Sequence, residues 1–233
     1  IYCGKNAISG NMIVVNKANL MNGSSFHFGI PGSGKSFGCK DEMTQIALST
    51  DDDILVCDPE REYGFLREFG AEIIHIAAGS DDHINAMDMV EGYSDTKNPI
   101  AQKSQFIMSL LEQLDQTREL TSIDKSIIDR CTGDVYRNYR NGGPLPTLPA
   151  LRELLLTQPE PEARDLALSL ELFTKGSLNA FAYPTNVNTQ CRILVYDILD
   201  LGEQLKTMGL LVITDAILNR VTENWRAGRR THV

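Results

Sequence analysis

The stretch Ser24-Ser-Phe-His-Phe-Gly29-Ile-Pro-Gly-Ser-Gly-Lys-Ser36 runs from a short β-rich segment into the pattern G-x-x-x-x-G-K-S, with Gly29, Gly34, Lys35 and Ser36 at its fixed positions. These residue types suit one task. Gly32 and Gly34 let the backbone curl so that successive N–H groups point inward, a concavity that fits phosphate oxygens. Residues 36 to 48 carry apolar positions compatible with a helix (Phe37, Met43, Ile46, Ala47), whose positive dipole end would face the same point. Lys35 is expected to reach the β- and γ-phosphates and Ser36 to ligate Mg²⁺. Pro31, Ser33 and Phe37 complete the stretch expected to touch the nucleotide, so the cofactors implied are ATP and Mg²⁺.

Working outward, residues 11–16 form another β-rich run, and Asn22-Gly23 is a turn signal between the two. After the helix, Ile54-Leu-Val-Cys57 and Glu72 to Ile76 are compact apolar runs of strand length. This alternation predicts an α/β fold with a mostly parallel sheet. The middle differs. Asn98-Pro99 reads as an N-cap with proline at the first helical position, and Ile100, Ile107, Leu110, Leu111 and Leu114 recur at helical spacing. Residues 121–139 repeat the pattern, Gly142-Gly143 stops it, and shorter helices are expected after Thr147 and over 161–175. Strand character returns over 191–198, and a long helix is expected over 203–227. The organisation expected is a first core segment at 1–97, an all-helical insertion at 98–185, and a continued core at 186–233. The absence of an initial Met suggests a fragment.

Composition narrows the function classes. The 233 residues hold 22 Lys+Arg against 31 Asp+Glu, a net charge of −9, which argues against a protein that coats nucleic acid with a basic footprint. Cys3, Cys39, Cys57, Cys131 and Cys191 are odd in number and never spaced as C-x-x-C, so they read as reduced thiols rather than a disulfide or zinc framework. No run approaches the ~18 apolar residues of a membrane span. The longest candidate, 208–218, is interrupted by Thr214 and Asp215. A soluble, cytosolic chain is expected.

The acids needed for nucleotide chemistry are harder to place. Ile54-Leu-Val-Cys-Asp58 and Ile193-Leu-Val-Tyr-Asp197 both present four apolar residues and then Asp, as a nucleotide-facing strand does, but neither is followed by Glu. Asp58 is a candidate at a strand end, where open α/β sheets place their ligands. Glu62 is a candidate to support the metal or polarise water, and with Lys35 and Asp58 completes the candidate catalytic set. For Asp58 and Glu62 the competing reading is a turn acid. His27 and His75 sit in β-rich runs and read as sheet residues, and Arg226, Arg229 and Arg230 as a solvated helix end.

Several strings in one order then carry a resemblance: GIPGSGKSFG (29–38), ILVCDPEREY (54–63), KGSLNAFAYPTNV (175–187) and RILVYDILDLGEQLKTMGLLVITDAILNRVTENW (192–225). Together they resemble the conjugative-transfer ATPases of type IV secretion, in particular the VirB-four class of Gram-positive conjugative elements. That resemblance implies a RecA-like core of the HerA–FtsK branch with a helical insertion. It also implies ATP hydrolysis by a homo-oligomeric ring at the inner face of the cell membrane, working with other secretion-channel subunits and with DNA contacted at most indirectly. In that family an hhhhDE strand follows the long helix, whereas this sequence ends at Thr231-His-Val233, on the threshold of such a strand. The fragment alone is therefore expected to hydrolyse ATP weakly or not at all. A nucleotide-binding assembly module and a P-loop kinase stand as alternatives.

Overall fold

A computed structural model describes residues 1–21, 23–90, 93, 98–114 and 119–233. Asn22, half of the turn signal read above, lies outside them. The elements, in chain order, are a hairpin of β1 (Tyr2–Lys5) and β2 (Met12–Val14), then α1 (Lys35–Ser49), β3 (Asp53–Asp58) and β4 (Glu72–His75). Next come five helices, α2 (Pro99–Leu114), α3 (Ser122–Arg140), α4 (Leu148–Leu156), α5 (Pro161–Ser169) and α6 (Glu171–Thr174). The chain closes with β5 (Ile193–Asp197), α7 (Gly202–Arg226) and β6 (Thr231–His232).

Four strands make one sheet in the order β4-β5-β3-β6, and every pairing in it is parallel. Parallel strands need long crossovers, which the α2–α6 block and α7 supply. The central strands are apolar throughout because both faces are covered. Side chains alternate across the sheet. Ile54, Val56, Ile193 and Val195 point to one face, where they meet Ile46 of α1 and Leu66. Leu55, Leu194 and Tyr196 point to the other, where they join a much larger core built from α2–α7. The helices between β4 and β5 thus share one continuous core with the sheet.

Local chemistry fixes the helix ends. The Asn98 side chain accepts from the Ala101 amide, and Thr121 and Asp124 exchange hydrogen bonds in a capping box that opens α3. Thr147 accepts from the Ala150 amide to open α4. The single helix expected over 161–175 is two, α5 and α6, meeting at Leu170. On the α7 face even charges are buried. Arg220 is paired with Asp53, which also accepts from Asn224, and the Lys103 ammonium lies 2.9 Å from Asp215 between the Tyr93 and Phe106 rings.

One expected strand does not form. Residues 24–29 belong to no strand or helix, and Phe26 and Phe28 are 82% and 88% exposed, their rings stacked on each other. Strand-forming side chains alone do not make a strand; a neighbouring edge must accept the backbone. β3 is already flanked by β5 and β6, and the two-residue β6 pairs only with β3 among the described residues. Of the cysteines, only Cys131 is fully buried, and all five are free thiols. Among the described residues, no helix is long and apolar enough to cross a membrane.

Candidate functional site

The loop from Gly29 to Gly34 delivers the chain into α1. A turn closed by the Ser33 amide on the Ile30 carbonyl precedes the helix. Gly32 and Gly34 have φ of +80° and +87°, and Gly34 is the N-cap. A side chain there would strain the backbone, so the glycines are what let the loop reverse into the helix. A Cβ at Gly29 would come within 2.2 Å of the Ser33 hydroxyl, because the loop folds back over that position. Lys35 and Ser36 then stand in the first turn of α1, where backbone N–H groups have no partner inside the helix.

The second element comes from the end of β3. Asp58 is buried, and its carboxylate is spent on the turn that follows: one oxygen accepts from the Glu60 and Glu62 amides at 3.3 and 3.0 Å, the other from the Tyr63 amide at 2.8 Å. Asp58 is thereby the organiser of the 58–63 turn. That turn carries Glu62 across to α1, where its carboxylate stands beside Ser36 and lies 3.4 Å from the Lys40 ammonium. The Ser36 hydrogen bond first, and then Lys40, hold the Glu62 carboxyl below its ordinary range. Lys40 also sits over the Tyr63 ring at 5.8 Å.

The third element is a cluster at the sheet rim. In the sheet register Asp58 and His75 both lie beside Asp197, so the ends of β3, β5 and β4 are level. Arg61 donates from Nε to Asp197 at 2.5 Å and from Nη2 to Asp200, and Nη2 also lies 3.0 Å from His75 Nε2. Guanidinium N–H groups only donate, so His75 Nε2 accepts and Nδ1 carries the proton toward Asp197, 2.8 Å away. The bonds to Asp197 and Asp200 raise the Arg61 pKa still further above its already high ordinary value. Nothing in the sequence pattern marks Arg61 or Asp200; they meet only because β3 and β5 pair in register. His75, read there as a sheet residue, is half-exposed and polar-bonded.

These observations bear on whether the site suits Mg²⁺·ATP. The loop offers a cation at Lys35 and a hydroxyl at Ser36, and the Glu62 carboxylate faces that hydroxyl. Among the described residues no group of three or more His, Cys, Asp and Glu is arranged to hold a metal ion. Mg²⁺ is commonly held by few protein oxygens together with substrate phosphates, and Ser36 at the head of α1 suits that arrangement. The residues fit the group. Phe37, also expected at the nucleotide, is exposed on the first turn of α1. A separate cavity of about 80 Å³ lies on the α7 face, lined by Asn85, Tyr196, Asp215 and Arg220 among others, and holds none of the expected phosphate-binding residues.

No known family profile matches the sequence, and no curated protein matches it. Among solved structures the chain is similar to VirB4 of Thermoanaerobacter pseudethanolicus, with a TM-score of 0.81 and 23% sequence identity. The likeness covers 96% of this chain and 64% of that one, so this chain spans a little under two thirds of its length. At this identity the likeness is one of fold: the chain has the RecA-like α/β fold of that VirB4, a parallel four-stranded sheet joined to a helical region.

Proposed function

We propose that the Gly29–Ser36 loop binds the polyphosphate of ATP with Mg²⁺, and that the chain is the nucleotide-binding part of a type IV secretion motor ATPase. The observation that carries the reading is the meeting of three elements at the head of α1: the glycine loop, Lys35 and Ser36 in the first turn, and Glu62 on Ser36. Lys35 neutralises the β- and γ-phosphate oxygens. Ser36 would keep its proton toward Glu62 and offer its oxygen lone pair to the cation. Asp58 supports the chemistry indirectly, by holding the turn that carries Glu62. When bound, Mg²⁺·ATP supplies the phosphoanhydride to be cleaved and a divalent charge that offsets the negative charge of the transition state.

The fold shared with a VirB4 supports a place in the same kind of machine: a homo-oligomeric ring beside channel subunits, peripheral to the inner face of the membrane, with DNA contacted indirectly if at all. Residues 1–233 contain no hhhhDE pair, and loss of one well-placed electrostatic group costs enzymes about 10²–10³ in rate. The same feature favours a second reading, a nucleotide-binding assembly module without turnover. Steady-state ATP hydrolysis separates the two. Residues 1–233 and a longer product of the native gene that carries an acid-bearing strand are compared at equal concentration, with Lys35→Ala as the contamination control. Turnover only in the longer, oligomeric protein is expected for the motor. No turnover in either, with ATP still bound, would leave the assembly module. Equal turnover in both, abolished by Lys35→Ala, would place the catalytic acid within residues 1–233.

A further inference from the structure

Arg61 has a backbone φ of +55°, the only positive value among the described non-glycine residues. An L side chain resists that region, where glycine, asparagine or aspartate is the usual occupant. Such a conformation persists where the surroundings over-determine it. Here they do so from two sides. On the inner side, the Asp58 carboxylate takes the amides of Glu60, Glu62 and Tyr63, so it grips the turn on both flanks of residue 61. On the outer side, the Arg61 guanidinium is forked between Asp197 and Asp200, with His75 against Nη2. Asp197 is itself fixed: it is 3% exposed and also takes the Leu199 amide and His75 Nδ1.

Two consecutive residues of one turn therefore reach in different directions. Arg61 reaches the rim of β4 and β5, and Glu62 reaches Ser36 and Lys40 on α1. We propose that Arg61 is a positioning residue, pinned by Asp197 and Asp200 so that the 58–63 turn sets Glu62 against the Ser36 hydroxyl. The proposal rests on the reading of that loop as a Mg²⁺·nucleotide site. The Arg61 side chain is 40% exposed and its Asp200 partner 51%, and an ion pair on that outer side adds little to global stability. Its effect belongs to the placement of Glu62, and so to the metal-dependent share of nucleotide binding.

The test uses Arg61→Gly, which keeps the left-handed backbone and loses the fork; Arg61→Lys, which keeps the charge; and the near-isosteric Asp197→Asn. Two quantities are read on each: ATP affinity with Mg²⁺ and with EDTA, and amide hydrogen exchange at Glu62 and Tyr63 without nucleotide. For Arg61→Gly and Asp197→Asn the EDTA affinity should stay at the wild-type value, while the gain produced by Mg²⁺ falls by about tenfold, the scale of one charged hydrogen bond. Exchange at both amides should rise, and Arg61→Lys should recover part of each change. Affinity lost equally with and without Mg²⁺ would mark a merely structural role and overturn the proposal. So would wild-type exchange and a wild-type Mg²⁺ gain in Arg61→Gly while Glu62→Gln loses that gain; the nucleotide reading would then stand. If Lys35→Ala and Glu62→Gln both bind ATP as wild type does, the nucleotide reading fails, and the exchange data alone decide whether Arg61 holds the turn.

Discussion

The two faces of the sheet are built to different specifications. On the α7 face, residues of six helices and three strands close over one core that takes in Leu55, Ile74, Leu194 and Tyr196, and charged pairs are sealed inside it. On the α1 face the core is six buried residues, and Ile46 is the only buried residue of α1. The loop, Lys35, Ser36 and the 58–63 turn all lie on the thin side. The fold is thus anchored on one face and leaves the other accessible to a ligand, and single substitutions should separate the two.

The largest effect is expected where a buried charge is stranded. Asp53→Ala leaves Arg220 without its carboxylate and Asn224 with one acceptor instead of two, which should cost about 3–5 kcal/mol in urea unfolding. Leu194→Ala, at a side chain with no exposed surface, should cost about 2–5 kcal/mol by the same measurement. A loss below 1 kcal/mol for either would mean that the α7 face is not the anchor.

Lys103 gives a subtler check. Burial holds its pKa below the ordinary lysine value, with Asp215 opposing the shift. Between the lowered folded value and the ordinary one, the unfolded chain binds more protons than the folded chain, so stability should rise as pH rises through that window. The slope is at most about 1.4 kcal/mol per pH unit for one group. Unfolding midpoints of wild type and Lys103→Met across alkaline pH should diverge in that sense, and parallel curves would contradict it. Smallest of all, Phe28→Ser on the thin face should change stability by no more than about 0.5 kcal/mol, since the ring is exposed.

Much of this contrast could be read in the sequence. β3 and β5 are apolar runs each closed by an aspartate, and the caps at Asn98, Thr121 and Thr147 are local chemistry that a sequence displays directly. The glycine spacing of residues 29–36 likewise states its own backbone requirement. What stayed hidden depends on distant partners. Residues 24–29 have the composition of a strand, but whether an edge is there to receive them is decided elsewhere in the chain. Arg61 meets Asp197 and Asp200 across 136 and 139 residues, a contact that exists only because β3 and β5 pair in register. Whether Asp58 faces a ligand or its own turn depends on three backbone amides that no residue pattern reveals.

The most direct measurement is calorimetric titration of ATP into residues 1–233, with and without Mg²⁺, for wild type and Lys35→Ala. Wild type should bind and should gain affinity with Mg²⁺. Lys35→Ala should lose about 1.5–3 kcal/mol, roughly ten- to a hundredfold in affinity, because the charged hydrogen bond to phosphate is gone, while its unfolding midpoint stays at the wild-type value. Equal affinity in the two proteins, or no binding by wild type, would contradict a nucleotide site at the head of α1.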